Sequence, residues 1–384
     1  MKEFRYRKRN KNARMLSRAA YARLRRLAPA AWLAAPLLAA LLLPLAVVPQ
    51  REGQHPAPAP EAVPAATAPP AAPGPAPAEA PPQPDVSVYL SRSGQIETLP
   101  LEDYVSGVLA AEMPADFELE ALKAQAVAAR TFIVRRLQAG DHSGVPVPEA
   151  DVTDTVSHQA YVSADTLERE WAGGGRSAAR AKLRRAVLET RGVVMTYKGQ
   201  PITASFFASS GGYTENSEEY WSAAVPYLRS VTSPWEKEIT PNYAVTYTFT
   251  NDELASRLGL GGQAVSASRD TAGPIRAKPV SSSSKLQIKV ISHTTGHRVK
   301  EISIGGQRFT GREVREKLGL RSSQFTWKQE GSRNLITSYG NGHGVGMSQW
   351  GANGMAREGS TATQILKHYY SGISFTQVST LLKK

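Results

Sequence analysis

Twelve prolines fall between Pro56 and Pro84, in a stretch from Glu52 to Asp85 made almost wholly of proline and alanine. Each proline fixes φ and removes a backbone donor, so neither a helix interior nor a central strand can be built there. Almost no side chain in the stretch is apolar enough to form a core. Residues 50–85 therefore read as a linker, and the folded body must lie on its C-terminal side, from about residue 86 to residue 384. In extended polyproline geometry some 30 residues reach roughly 90 Å.

The chain before the linker is different in kind. Of the formal net charge of +13, most sits in residues 1–27, where eleven Lys and Arg face one acid, Glu3. This leaves 35 of the 46 basic and 32 of the 33 acidic residues elsewhere, a net of +3. Nucleic-acid binding is not expected of the body, because the charge is confined to this N-terminal block on the expected cytoplasmic side of the apolar segment that follows it. The basic block runs into Leu27–Pro49, uncharged and rich in Leu and Ala. That is about the length a helix needs to span a bilayer. Positive residues before it place the N-terminus inside. The expectation is a basic cytoplasmic segment over 1–27, a single transmembrane helix over 28–49, and a C-terminal body on the extracytoplasmic side of the cell membrane. Cysteine is absent, which excludes disulfides, thiolate metal sites and a thiol nucleophile.

Within the body, Ser87–Leu90 and Ile96–Leu99 flank Ser93-Gly94 as a hairpin. Leu101, Tyr104, Val105, Val108 and Leu109 recur at helical spacing, and that helix must end before Pro114. A longer helix is predicted from about Glu118 to Gln138, and another over Ser177–Glu189. Strands are predicted over 192–197 and 202–207 around a Lys198-Gly199 turn, and over 240–250, 285–292 and 299–304. Short helices are predicted over 311–318, 348–357 and 361–370, and no internal repeat is evident.

Glu112 stands on the last turn of the Pro114-terminated helix, where the negative end of the helix dipole and burial both disfavour its carboxylate. Such a group suits general acid catalysis near neutral pH. Lys123 and Arg130 lie two turns apart on the next helix, on one face, and could oppose that shift if the face meets Glu112. His158 lies in a polar cluster, Asp154 to Tyr161, suited to orienting a carboxylate or substrate. Ser209-Ser210-Gly211-Gly212-Tyr213 follows a strand, where small residues let backbone approach a ligand. The glycine-rich run Gly340–Gly346 presents His343 and leads into Ser348-Gln349, but lacks the Lys-Ser or Lys-Thr of a phosphate loop. His293 and His297 fall in a turn, so no metal site is expected.

Four phrases, taken together, resemble the stage II sporulation protein D family. They are Leu101–Val105 with Ala111-Glu112-Met113-Pro114, Glu120–Thr131, Ser209–Gly212, and Gly342–Gln349. The resemblance implies an α+β fold: a catalytic body over 86–250 with helices packed on antiparallel strands, a smaller β-rich lobe over 251–330, and a segment over 331–384 returning to the cleft between them. It implies a lytic transglycosylase that cleaves denuded peptidoglycan strands and leaves 1,6-anhydro-N-acetylmuramic acid ends, in septal wall thinning and forespore engulfment. Glu112 is the implied catalytic residue. Lys123, Arg130, His158, Ser210, Tyr213, His343 and Gln349 are implied to support it or bind substrate. Implied partners are peptidoglycan strands, a sporulation amidase and a membrane scaffold protein, with the membrane itself met through residues 28–49. Members that bind zinc do so through cysteine, so no cofactor is expected here. The same phrases are similar to amidase-enhancer proteins, which implies a wall-binding protein without catalysis as the alternative.

Overall fold

The computed structural model describes residues 83–171, 175–260 and 286–382. The chain enters through a hairpin, β1 (Asp85–Leu90) and β2 (Gln95–Pro100), closed by Gly94 at φ 72°. α1 (Leu101–Glu112) buries Leu101, Tyr104, Val105, Val108 and Leu109. It stops where the sequence requires: Met113, the residue before Pro114, is extended at φ −126° and ψ 139°.

α2 (Leu119–Ala139) ends at Gly140, whose left-handed φ of 58° lets its N–H reach the carbonyls of Arg136 and Leu137. Its buried surface is wider than a single apolar stripe. Ala121, Ala124, Ala126, Ala128 and Ala129 are all buried along with Leu122 and Ile133. Small side chains let neighbours approach α2 from most sides, which makes it the central element of the body. β3 (Val152–Thr153) pairs in parallel with β1. α3 (Ala164–Trp171), which the sequence reading passed over, precedes α4 (Gly175–Glu189). β4 (Val193–Tyr197) turns through Lys198-Gly199 into β5 (Gln200–Pro201). The expected strand over 202–207 shrinks to β6 (Phe206–Phe207), followed by the one-turn helices α5 (Ser217–Tyr220) and α6 (Glu236–Ile239).

A second apolar core, separate from the first, gathers residues from Phe249 to Ile336. Its elements are β7 (Ala244–Thr250), α7 (Asn251–Leu258), β8 (Ile288–His293), β9 (Val299–Ile304), β10 (Gln307–Thr310), α8 (Gly311–Leu318), β11 (Phe325–Glu330) and β12 (Arg333–Tyr339). They form two antiparallel sheets, β10-β9-β8 and β11-β12-β7. This region contains a short repeat that sequence reading missed. Phe249-Thr250 and Phe309-Thr310 each end a strand, each threonine makes a capping box with the glutamate three residues on (Glu253, Glu313), and each helix stops at a left-handed glycine (Gly259, Gly319). Six of the twelve positions coincide, Phe249/Phe309, Thr250/Thr310, Glu253/Glu313, Leu258/Leu318, Gly259/Gly319 and Leu260/Leu320, so the expectation of no internal repeat is corrected by the letters as well as by the fold.

The chain then returns to the first core through β13 (Met347–Ser348), which pairs in parallel with β6, and α9 (Gln349–Arg357). α10 (Ala362–Tyr369), β14 (Ser374–Gln377), paired with β4, and α11 (Val378–Leu381) complete it.

An α+β body with helices packed against strands is thus present, but the single-pass membrane topology needs correction. Residues 28–49 lie outside the described residues, and among the described residues no helix is long and apolar enough to cross a membrane. α2 has the length, at 21 residues, but it carries Lys123, Arg130, Arg135 and Arg136 and spends its apolar surface on the body core. The transmembrane anchor, the extracytoplasmic single-pass localisation, the membrane as a partner, and the amidase and scaffold expected to be met there are therefore withdrawn.

One ion pair stitches the helical half together. The fully buried Arg130 donates from Nη2 to Glu102 Oε2 at 2.5 Å, from Nη1 to Val193 O at 3.2 Å, and from Nη2 to Val187 O at 3.4 Å. Glu102 Oε1 in turn accepts from the Gly192 amide at 2.9 Å. α1, α2, the end of α4 and the start of β4 thus share one charge pair. Removing one partner of a buried pair strands the other charge, at a cost of about 3–5 kcal/mol. Glu102→Gln should lose about that much unfolding free energy in urea titration; a loss under about 1 kcal/mol would show that the pair is not a structural tie.

Candidate active site

Glu112 is half-buried at the end of α1, and its Oε1 accepts from the Ala160 amide at 2.8 Å. Burial holds its pKa above the ordinary carboxylate value, while the Ala160 amide and the Gln349 carboxamide oppose the rise. Gln349 faces the carboxyl without closing a normal hydrogen bond, since its buried Nε2 has no partner among the described residues. No charged side chain contributes to the shift. The site is one carboxyl, partly desolvated, held by two neutral groups.

Ala160 is presented by a loop that His158 organises. His158 Nε2 donates to Ser143 O at 3.0 Å, which leaves Nδ1 as acceptor for the Thr153 amide at 3.2 Å. Burial lowers its pKa, so the ring is neutral and works as a strut. Beside it the buried Gln159 accepts from Tyr104 Oη at 3.0 Å. Tyr104 is close enough to Glu112 for that carboxyl's charge to push its own pKa up further, after burial.

The start of the helix that carries Gln349 is anchored by a second buried carboxyl that sequence reading missed. Glu236 accepts from the Ser210 amide at 2.5 Å, Ser210 Oγ at 2.7 Å and Ser233 Oγ at 2.6 Å. Ser348, the N-cap of α9, adds a further hydrogen bond. Burial lifts the Glu236 pKa to about 7 against these donors. The effect is to fix the Ser209–Gly212 loop against the first turn of α9, which carries Gln349. Nothing local marks Glu236, because its burial comes from segments distant in sequence.

The glycine run pairs with the same loop: the Ser209 and Asn341 amides exchange hydrogen bonds at 3.0 and 2.7 Å. Gly346, at φ 82°, has no room for a side chain, since a Cβ there would lie 2.0 Å from Ser205 O. His343 Nε2 donates to Phe206 O at 3.1 Å, and its ring sits among Phe207, Tyr220 and Trp221 at 5.5–5.7 Å. Burial and the nearby Arg298 charge take its pKa down to about 4, so it too is neutral. Tyr213 remains exposed, its ring stacked on His297 at 4.2 Å.

The structure does not bring Lys123 or Arg130 into a pair with Glu112. Lys123 Nζ bridges Glu120 at 2.7 Å and Glu189 at 2.5 Å, and Arg130 is committed to Glu102. The sequence located their common face correctly but not the element that covers it. Glu112 lines none of three clefts that indent the body surface.

Comparison with known proteins matches residues 89–197 to the family model SpoIID, stage II sporulation protein. The chain is 46% identical over 301 residues to stage II sporulation protein D of Bacillus amyloliquefaciens, covering 78% of this chain and 80% of the relative. Against the Bacillus subtilis protein of the same name it is 44% identical over 303 residues, covering 78% and 81%. The amidase enhancer of Bacillus subtilis is 33% identical over 308 residues, covering 71% of this chain and 40% of that protein.

The Glu236 carboxyl gives the site a pH signature. Its pKa rises on folding, from 4.5 to about 7, so the folded chain holds the proton more tightly. The associated stability, about 3 kcal/mol, is present in full below pH 4.5, declines across that interval and is gone above about pH 7. The difference in unfolding free energy between wild type and Glu236→Gln should follow that course, and a difference flat from pH 4 to pH 8 contradicts it.

Proposed function

Because the chain belongs to the stage II sporulation protein D family, we propose that it is a lytic transglycosylase acting on denuded peptidoglycan strands, in the septal wall thinning that accompanies forespore engulfment. The observation that carries this reading is the state of Glu112: a partly buried carboxyl with a raised pKa and no charged partner among the described residues. Hydrolytic glycosidases ordinarily divide the work between two carboxyl groups. A single one suffices when the substrate supplies its own nucleophile.

In the first step the Glu112 carboxyl gives its proton to the oxygen bridging C1 of N-acetylmuramic acid to the next sugar, and the C1–O bond breaks. In the second the Glu112 carboxylate takes the proton of that muramic residue's C6 hydroxyl, whose oxygen bonds to C1. A 1,6-anhydro ring results, the proton returns to Glu112, and no water is consumed. The attacking hydroxyl already belongs to the substrate, which converts the step into an intramolecular one. The Ala160 amide and Gln349 steady the carboxylate between the two steps. His158 and Ser210 act through the loops they hold, and the exposed Tyr213 ring offers a face to a sugar.

The competing reading, a wall-binding protein without chemistry of its own, draws on the similarity to the amidase enhancer. Incubation of the purified full chain with denuded strands separates the two. Wild type should release anhydro-muramic ends, and Glu112→Gln should release them at least about 100-fold more slowly. Equal release by both proteins, or none by wild type, sinks the assignment. The rate should also fall as pH rises through the pKa of Glu112, because the acid form starts the reaction. Gln349 lowers that pKa, so Gln349→Leu should move the fall to higher pH; a shift to lower pH contradicts the contact.

A further inference from the structure

An open cleft of about 850 Å³ lies where the C-terminal end of α2 meets the β4–β5 turn. It is at the far end of α2 from the turn that carries Glu112. With a rise of about 1.5 Å per residue, Arg135 stands roughly 24 Å along the helix from Leu119.

The walls are basic and aromatic. Arg136 is neutralised by Asp141 at 3.1 Å, but Arg135 and Lys198 have no carboxylate partner among the described residues. The Lys198 ammonium lies 5.6 Å from the centre of the Tyr197 ring. Tyr197 and Tyr227 have ring centres 5.3 Å apart, and the Tyr227 hydroxyl is fixed by the Thr203 amide at 2.9 Å. Both rings are half-buried, so each presents an anchored edge or face to the cleft.

The turn itself is unusual for its sequence. Lys198 and Gly199 both take left-handed φ values, 50° and 78°, as a two-residue hairpin of this kind requires. Asn or Gly would adopt the first position more cheaply than Lys, by about 1 kcal/mol. A cation kept where local preference argues against it is the kind of inconsistency that marks a functional position.

We propose that this cleft is a second saccharide subsite, which takes a stretch of glycan strand bearing free carboxylates. The two tyrosines offer surfaces for sugar rings, and Arg135 and Lys198 pair with the carboxylates. Muramic residues without stem peptides carry such a carboxylate on the lactyl group. The inference rests on the strand-cleaving reading of Glu112 and adds to it a preference for strands long enough to occupy both ends of α2.

Binding is measured on the full chain carrying Glu112→Gln, so that strands stay intact, and on the same chain with Arg135→Glu and Lys198→Glu added. Both added positions are exposed, so the core is untouched; matched thermal midpoints confirm this. The probes are denuded glycan strands, N-acetylglucosamine oligomers of equal length without carboxylates, and polyglycerol phosphate. Charge reversal should weaken binding of denuded strands by about tenfold or more. The uncharged oligomers should bind both proteins equally and weakly. The subsite is refuted by equal binding of denuded strands to both proteins, by uncharged oligomers binding as tightly as denuded strands, or by preference for the phosphate polymer. Formation of anhydro ends by wild type is scored separately, so loss of the subsite and loss of the transglycosylase reading are different results.

Discussion

The pairing of Arg130 with Glu102 is the constraint on which the arrangement of the first core rests. Burying a guanidinium costs least when its donors are used, and here they reach a carboxylate and the backbone carbonyls of Val187 and Val193. α1 and α2 are thereby fixed relative to each other and to the end of α4. The end of α1 is where Glu112 stands. An arginine that could have been a substrate ligand instead sets the position of the helix bearing the carboxyl.

Two other buried carboxyls show the same economy. Glu236 and Glu215 are each enclosed and satisfied by hydroxyls and backbone amides. Glu215 meets Arg298 only at 4.0 Å, and burial takes the Arg298 pKa down to about 10. Each joins segments far apart in sequence: Glu236 joins the Ser210 loop to α9, and Glu215 joins the body to the Thr294–Arg298 turn. Glu112 differs because it has one short hydrogen bond, a facing amide with a spare donor, and partial access to solvent. Its environment leaves capacity for a ligand where the others leave none.

Much of this was legible in the letters, and the limits have physical causes. α1 and α2 were readable because apolar spacing, Pro114 and Gly140 are local signals with local consequences. The position of Glu112 at a helix end followed from the same proline, whereas the resemblance named Gln349 only as a supporting residue and did not place it against that carboxyl. The partner of Arg130 was not readable. Periodicity assigns a face to a residue but does not say which element covers it, and Glu102 lies 28 positions upstream. β11 and β12 passed unseen because inward positions carry polar residues, Gln329 in β11 and Asn334 and Ser338 in β12, which breaks the apolar alternation. The network around Glu236 depends on Ser210, Ser233, Ser348 and Tyr369, which only the folded chain assembles.

The central claim is that Glu112 works alone because the substrate supplies the nucleophile. Cleavage of denuded strands in water enriched in oxygen-18, with mass analysis of the new muramic ends, tests this most directly. The account predicts ends one water lighter than a hydrolysis product and free of oxygen-18. Ends that carry one oxygen-18 atom would mean that water attacks C1, and the single-carboxyl mechanism would be wrong.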